Sequence, residues 1–369
     1  MANGNGDSCA DISLDQILSD YPIGKILNYN EWKKVCHQAL LKNTRLEVTP
    51  NGLHFHYTDY HPATNSTQHP ANDTSTTVVP PSNMQPVVLH VHGTPSTAAV
   101  SHQVFADHFN NKFRWLALTR PGYLQTPLQY TNSNQEQTPQ QPQNFITPAE
   151  QANYFAEFIR FKKLPAVHLH AWSGGAPTAL HLAAKYPELV ASLTLYCAVT
   201  QPWQASRIDP IEHLILTSKG QWLGYNLYQT QPRLFTALAS YEMGISRRYS
   251  NQHTHIQKLL FLTLVSASPA ELHEAGIQND IQQMKTFHFD AWKDIRCPVL
   301  ILHSESDRQV SIRHSHWAKK NLPNADFFSI PDGGHVAHLA KQGPELIQKF
   351  QNFIMSNYSN QVPPSKKKF

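Results

Sequence analysis

A serine between small residues marks the point where a strand pattern ends and a helix pattern begins. Residues 168–177 read HLHAWSGGAP, with Ser173 directly after the apolar run. A serine on so sharp a turn exposes its hydroxyl, and the turn crowds the residues two before and two after it, which must be small. Ala171 and Gly175 meet this need. The segment predicts a nucleophilic serine; the alternative is a glycine-rich helix start with an incidental serine.

An acid and a histidine follow two later strand patterns. Asp307 closes the run LHSESD, and His335 closes the run PDGGH. A serine, a carboxylate and an imidazole brought together are the groups that nucleophilic catalysis requires. Glu305 and Asp332 are the nearest rival acids.

Strand and helix patterns alternate from residue 86 onward, and this alternation must position the three side chains. Apolar runs predict strands at 87–91, 115–118, 166–170, 193–197, 298–302 and 326–330, after two earlier ones at 45–48 and 53–57. Helical spacing occupies 97–109, 147–163 and 176–186, and Thr147 with Glu150 forms a capping box. Strands alternating with helices predict an α/β fold with a doubly wound, mostly parallel sheet.

The same patterns divide the chain into a core and several additions. We expect the core at 44–200 and 291–356, with a helical lid at 201–290 inserted between strands 6 and 7. An insertion there would cover a site at the carboxyl ends of the strands. The other additions are a helical N-terminal extension (1–43), flexible polar insertions (61–85 and 124–146) and a basic tail (357–369).

Three motifs in the predicted core resemble those of the α/β-hydrolase superfamily, nearest to its esterase-like serine hydrolases. They are the HGTP loop at 92–95, the RPGY turn at 120–123 and the WSGG elbow at 172–175. The chain order serine, aspartate, histidine is also that of the α/β hydrolases. The resemblance covers roughly residues 86–356, outside the lid and the Gln-rich insertion. Leu124 departs from the pattern, because the family commonly has glycine after the RPGY turn.

The resemblance implies a role for each candidate in the acid–base set. Ser173 would be the nucleophile, His335 the general base and Asp307 the carboxylate that orients it. The family pattern places the acid at Asp307, ahead of Glu305 and then Asp332. Relatives that use an aspartate nucleophile, the haloalkane dehalogenases and epoxide hydrolases, are excluded by the serine.

The resemblance also implies the groups that bind the substrate. The backbone N–H groups of Thr94 and Gly174 would hold an oxyanion, with Gly93 beside them in the loop. Trp172 is expected to form a wall of the substrate pocket.

The composition of the 369-residue chain narrows the remaining possibilities. Hydrophobic residues make up 40% and charged residues 15%, which is typical of a globular protein. The net charge is +4, and no block of basic residues lies inside the predicted domain, so we expect no nucleic-acid partner. No apolar run suggests a signal peptide or a membrane span, and the four cysteines are scattered, so a reduced, cytoplasmic location is expected.

The 22 histidines raise the question of a metal site. Five H-x-H pairs occur, at 54/56, 90/92, 168/170, 253/255 and 314/316. Their scatter is more typical of a histidine-rich composition than of a metal site, so we expect no metal and no cofactor.

The predicted function is hydrolysis of carboxylic esters through an acyl-enzyme intermediate. The substrate would be a small ester or a lipid-like molecule, with an apolar acyl or alcohol part matching the aromatic insertion. Two alternatives use the same scaffold: an acyltransferase with the same triad, and a non-catalytic ligand-binding homologue.

Overall fold

The computed structural model describes most of the chain, and its strands form one eight-stranded sheet. The described residues are 18–61, 85–109, 112–124, 126–128, 145–203 and 216–359. The strands are β1 (Arg45–Val48), β2 (His54–Tyr60), β3 (Val87–Val91), β4 (Arg114–Leu118), β5 (Val167–Trp172), β6 (Val190–Tyr196), β7 (Val299–Ser304) and β8 (Asp326–Ile330). Their spatial order is β1-β2-β4-β3-β5-β6-β7-β8.

The predicted fold class is confirmed by the direction of these strands. β2 pairs antiparallel with β1 and β4, and every pair from β4 to β8 is parallel. Every residue of β3, β5, β6 and β7 is buried, because helices cover both faces of the sheet. Neighbouring residues of one strand therefore join different cores, as Val88 and Leu89 do.

The helices lie between and beyond the strands. They are α1 (Tyr29–Lys42), α2 (Ala98–Val100, Ser101–Ala106 and Asp107–Phe109 in succession), α3 (Pro148–Phe161), α4 (Ala176–Lys185), α5 (Ser218–Thr230), α6 (Pro232–Met243), α7 (Arg247–Gln252), α8 (Thr254–Ser266), α9 (Glu274–Lys285), α10 (Arg313–Asn321) and α11 (Gly343–Ser359). α11 continues to Ser359, three residues past the expected end of the core.

Two local predictions for the helices have different outcomes. The capping box that starts α3 is confirmed, since the Thr147 side chain accepts from Glu150 N and the Glu150 side chain accepts from Thr147 N. The regular helix expected at 97–109 is wrong in its middle, where Ser101–Ala106 has π-helical geometry. The Ser101 hydroxyl there accepts a hydrogen bond of 2.7 Å from Trp115 Nε1 of β4.

Helices α5–α9 occupy the segment between β6 and β7. Their aromatic rings pack together, with Tyr228 and Phe261 stacked at 4.1 Å and Tyr225 against Phe261 at 5.5 Å, and they join the core on one face of the sheet. The segment before them, 204–215, lies outside the described residues.

Several predicted segments lie partly or wholly outside the described residues. Residues 1–17, most of both polar insertions and the chain after 359 lie outside it. Three cysteines are described, Cys36, Cys197 and Cys297, and all are free thiols. Cys197 directly follows β6, and Cys297 lies two residues before β7. Among the described helices, none combines the length and the apolarity needed to cross a membrane.

Candidate active site

Ser173 lies on the turn between β5 and α4 in a strained backbone conformation. Its φ is +55°, a left-handed value that residues with a side chain rarely adopt. The turn also forces close approach to the end of β3: a Cβ on Gly175 would lie 2.4 Å from the Val91 carbonyl oxygen, and one on Gly93 would lie 2.8 Å from Ser173 Cβ. The small residues that the sequence places here are therefore required by the neighbouring backbone.

Asp307 holds the ring of His335 in the loops that follow β7 and β8. His335 Nδ1 lies 2.9 Å from Asp307 Oδ2, and both side chains are buried. The other carboxylate oxygen accepts the backbone N–H groups of Gln309 and Val310 at 2.9 and 3.0 Å. These bonds fix the direction in which the carboxylate faces the imidazole.

A second histidine touches the same carboxylate, which the sequence did not reveal. His303 Nε2 lies 3.3 Å from Asp307 Oδ2 and 2.9 Å from the Val310 carbonyl oxygen, while its Nδ1 lies 2.7 Å from Ser315 Oγ. Burial acts to raise the pKa of Asp307, but the charge of His335 and the hydrogen bonds from His303 and His335 outweigh it. The pKa of Asp307 therefore lies well below its usual range, and the carboxylate stays ionised.

The two rival acids are engaged elsewhere. Glu305 accepts a hydrogen bond of 3.2 Å from the Ser329 hydroxyl at the surface, and Asp332 accepts the neighbouring N–H of Gly333 at 2.8 Å. The carboxylate that the structure places on the His335 ring is that of Asp307.

One cavity joins the serine, the histidine and the tryptophan between them. It has a volume of about 720 Å³, and Ser173, His335 and Trp172 all line it. Trp172 Nε1 donates to the His335 carbonyl oxygen at 3.2 Å, and the two rings lie 5.4 Å apart. Trp172 therefore contacts the histidine while forming part of the cavity wall.

The predicted oxyanion donors lie side by side at the same cavity. Thr94 and Gly174 both line it, and a Cβ on Gly174 would lie 2.7 Å from Thr94 Oγ1 and 3.2 Å from Met284 Sδ. Gly93 lies directly against Ser173, as described above. Five of the predicted site residues thus line one cavity, while Gly93 lies against Ser173 and Asp307 bonds to His335.

The walls of the cavity come mainly from the inserted helices and are mainly apolar. The apolar side chains that line it are Pro95, Trp172, Val199, Trp203, Leu216, Leu223, Leu227, Phe235, Leu238, Ala239, Met243, Leu260, Leu264, Ala267, Ile277, Ile281, Met284 and Val310. Of the aromatic residues of the insertion, Trp203 and Phe235 line the cavity, whereas Tyr225 and Tyr228 pack against other hydrophobic residues.

A buried ion pair behind Thr94 was not found from the sequence. Arg120, the first residue of the RPGY turn, donates to both carboxylate oxygens of Asp280 on α9, at 2.8 and 2.5 Å. Burial acts to lower the pKa of Arg120, but the Asp280 charge outweighs it, so the net pKa is raised. Tyr123 donates to the same carboxylate at 2.5 Å, and burial with the nearby Asp280 charge raises its pKa well above the usual value.

Within the described part of the chain, one group of side chains has the types and spacing of metal ligands. Cys197, His303 and Asp307 bring ligand atoms within 4.8 Å of one another. The carboxylate is already bonded to His335, and both ring nitrogens of His303 have partners. Hydrogen bonding within the protein therefore accounts for this group.

Of the H-x-H pairs at 90/92 and 168/170, His90 lies on β3, His92 directly follows it, and His168 and His170 lie on the neighbouring strand β5. His90 Nδ1 lies 2.7 Å from His170 Nδ1 across β3 and β5, and both rings are fully buried. His92 instead accepts the backbone N–H of Arg120 at Nε2, 2.9 Å away. His90, His92 and His170 therefore bond to other groups of the protein core.

Known proteins share this architecture. A family model described as the alpha/beta hydrolase fold matches residues 86–342. The uncharacterized hydrolase YcgS of Bacillus subtilis (strain 168) is 25% identical over 220 residues, which are 56% of this chain and 75% of that protein.

Solved structures resemble the chain in fold over most of its length. An alpha/beta hydrolase fold protein from Nakamurella multipartita has a TM-score of 0.68 at 20% identity, covering 84% of this chain and 98% of its own. An esterase from Exiguobacterium antarcticum has a TM-score of 0.53 at 16% identity, covering 85% of this chain and 98% of its own. Because the family model spans well over half of the sequence, the chain belongs to the alpha/beta hydrolase fold family and is a hydrolase of that class.

Proposed function

We propose that the protein is a serine hydrolase that cleaves carboxylic esters through an acyl-enzyme intermediate. The observation that supports this most is a strained serine that shares one cavity with a histidine held by a buried carboxylate. A nucleophile, a base and a group that orients the base are the three parts this chemistry requires.

In the first step, His335 takes the hydroxyl proton of Ser173 as the serine oxygen attacks the ester carbonyl carbon. With Nδ1 donating to Asp307, the Nε2 atom of His335 is the basic nitrogen. The Asp307 carboxylate then stabilises the imidazolium that forms. The alcohol leaves with the proton from His335, and water releases the acyl group by the same route.

We propose that the backbone N–H groups of Thr94 and Gly174 bind the oxyanion. Their adjacency beside Ser173 supports this role, since the oxygen of the attacked carbonyl must lie next to the serine. Losing one such donor typically costs about 100- to 1000-fold in kcat.

We infer that the substrate has an apolar acyl or alcohol part and that α5–α9 act as a lid over it. The apolar walls and a volume of about 720 Å³ suit such a group. Two structural relatives of the same fold are named as esterases, from Exiguobacterium antarcticum and, as a putative aryl esterase, from Burkholderia cenocepacia.

Labelling with a fluorophosphonate probe tests the nucleophile. We expect the wild-type protein to be labelled and Ser173→Ala to lose the label, because the probe reacts with an activated serine. Ser356→Ala, an exposed serine on α11, is the matched control and should label normally. Undiminished labelling of Ser173→Ala would refute the assignment.

Turnover of p-nitrophenyl esters, with product analysis in the presence of an acceptor alcohol, separates hydrolysis from acyl transfer.

A further inference from the structure

A carboxylate from the inserted helices lies buried behind the loop that carries Thr94. Asp280 belongs to α9, and the Arg120 side chain that it meets is 1% exposed. The Thr94 hydroxyl donates to Asp280 Oδ2, the same oxygen that accepts from Arg120 and Tyr123. Four polar groups, from the Thr94 loop, the turn at 120–123 and α9, therefore converge on one point.

These contacts hold the Thr94 loop from two directions. Arg120 Nη2 donates to the Gly93 carbonyl oxygen at 3.1 Å and to Thr94 Oγ1 at 3.0 Å. The Thr94 hydroxyl thus accepts from Arg120 and donates to Asp280, which uses its donor and orients the residue. Because charge-assisted hydrogen bonds of this kind are stronger than neutral ones, the peptide preceding Thr94 is held in a fixed direction.

The same helix forms a wall of the cavity one turn away. Ile277, Ile281 and Met284 of α9 line it, and Met284 Sδ lies 3.2 Å from the position of a Cβ on Gly174. α9 is fixed to the core beside Tyr123, since Gly276 N donates to the Gly122 carbonyl oxygen at 2.9 Å. A substrate that packs against α9 therefore contacts the element that holds the Thr94 loop.

We propose that Asp280 is a positioning residue for the oxyanion hole, supplied by the insertion and acting through Thr94 and Arg120. This inference rests on the proposed function, because it concerns the donor that Thr94 provides. Asp280 touches no substrate; it fixes where the Thr94 N–H points. Errors of about 1 Å in such geometry can cost on the order of 100-fold in rate.

The test compares affinity for two inhibitors in Asp280→Asn. A trifluoromethyl ketone forms a tetrahedral adduct with the serine and places an oxyanion in the hole, whereas the matched trifluoromethyl alcohol cannot. The asparagine side chain would present an N–H donor to Thr94, Arg120 and Tyr123, which themselves donate to Asp280. The Thr94 loop should therefore shift. We expect about 10- to 100-fold weaker binding of the ketone, an equal fall in kcat, and alcohol affinity and KM within about threefold of wild type.

Thr94→Val removes the hydroxyl that bonds to Asp280 and Arg120, and it keeps the backbone N–H and the shape of the side chain. It should show the same selective loss of ketone affinity, and combining it with Asp280→Asn should add little, because both remove one interaction. If Asp280→Asn fails to fold, Thr94→Val alone decides the question. Ketone affinity at the wild-type level in Thr94→Val would overturn the inference.

Asn279→Ala is the matched control on the same helix. Asn279 Oδ1 accepts the backbone N–H of Ile146 at 2.7 Å, so it ties α9 to the core without touching the Thr94 loop. Asn279→Ala should leave the ratio of ketone to alcohol affinity unchanged. A loss of ketone affinity equal to that in Asp280→Asn would mean that attachment of α9 alone matters, and it would overturn the proposal. A wild-type protein that neither turns over esters nor binds the ketone would instead refute the proposed function itself.

Discussion

The sheet and the inserted helices contribute to one cavity in different ways. The sheet brings Ser173, Asp307 and His335 together on the turns that follow β5, β7 and β8, each held by backbone contacts or short hydrogen bonds. The inserted helices contribute mostly apolar side chains and, in Asp280, one charge that reaches the core. The residues proposed for catalysis thus lie on turns held by backbone contacts and hydrogen bonds, whereas most of the cavity wall consists of apolar side chains from the inserted helices.

The largest expected effect comes from removing the acid of the core. Asp307→Asn should lower kcat for a p-nitrophenyl ester by about 10⁴-fold, because the His335 tautomer and the imidazolium lose their charged partner. Glu305→Gln and Asp332→Asn are the controls, and each should stay within about threefold of wild type. A comparable loss in either control would move the acid to that position.

Acid should destabilise the core through its buried histidines. Burial lowers the pKa of His90, His170 and His338 well below 6.5, so the folded state binds no proton there while the unfolded state does. This stability is fully present above about pH 6.5 and is lost as the pH falls below it. Each group contributes about 1.4 kcal/mol per pH unit, so the three together approach about 4 kcal/mol per unit below pH 5.5. Urea unfolding between pH 7 and 5 measures this, and a free energy of unfolding that does not change would contradict it.

Two glycine substitutions compare how well the core and the inserted helices tolerate an added side chain. Gly175→Ala should destabilise the protein by about 1–3 kcal/mol, since its Cβ would meet the backbone oxygens of Val91 and His92 at 2.4 and 2.6 Å. Gly224→Ala in α5 should be neutral or stabilising by up to about 1 kcal/mol, because the close contact of its Cβ would be with the flexible Leu264 side chain, at 3.0 Å. Thermal unfolding of both variants checks the pair; equal destabilisation would remove the contrast.

The smallest expected effect is on substrate preference. Leu264→Trp should fill part of the cavity from α8 and lower kcat/KM for long-chain p-nitrophenyl esters by about tenfold relative to the acetate. Leu234→Trp places the same side chain on an exposed site of α6 outside the cavity lining and is the control. An unchanged chain-length profile in Leu264→Trp would mean that the apolar group binds elsewhere.

The sequence indicates Ser173, Asp307 and His335 because each follows a strand pattern within a few residues. Local spacing is enough there, since parallel strands bring their carboxyl ends to one edge. Asp280 carries no local mark, because its role depends on the path of the inserted helices back to Arg120, 160 residues earlier in the chain.

The buried histidines show the same limit in the core. The pairs at 90/92 and 168/170 are plain in the sequence, but the contact of His90 with His170 follows from β3 and β5 being neighbours. The π-helical segment of α2 likewise has no sequence signal that differs from an ordinary helix. These features depend on tertiary packing, which overrides local pattern.

The loop after β7 serves two purposes at once. The N–H of Val310 binds the Asp307 carboxylate, and the Val310 residue also borders the cavity. A substitution at position 310 that shifts the backbone would move the Asp307 carboxylate and the cavity wall together, whereas substitutions on α5 or α8 would change the cavity wall alone. On the proposed function, substrate preference should therefore be easier to change by substitutions on α5 or α8 than in the loop beside Asp307.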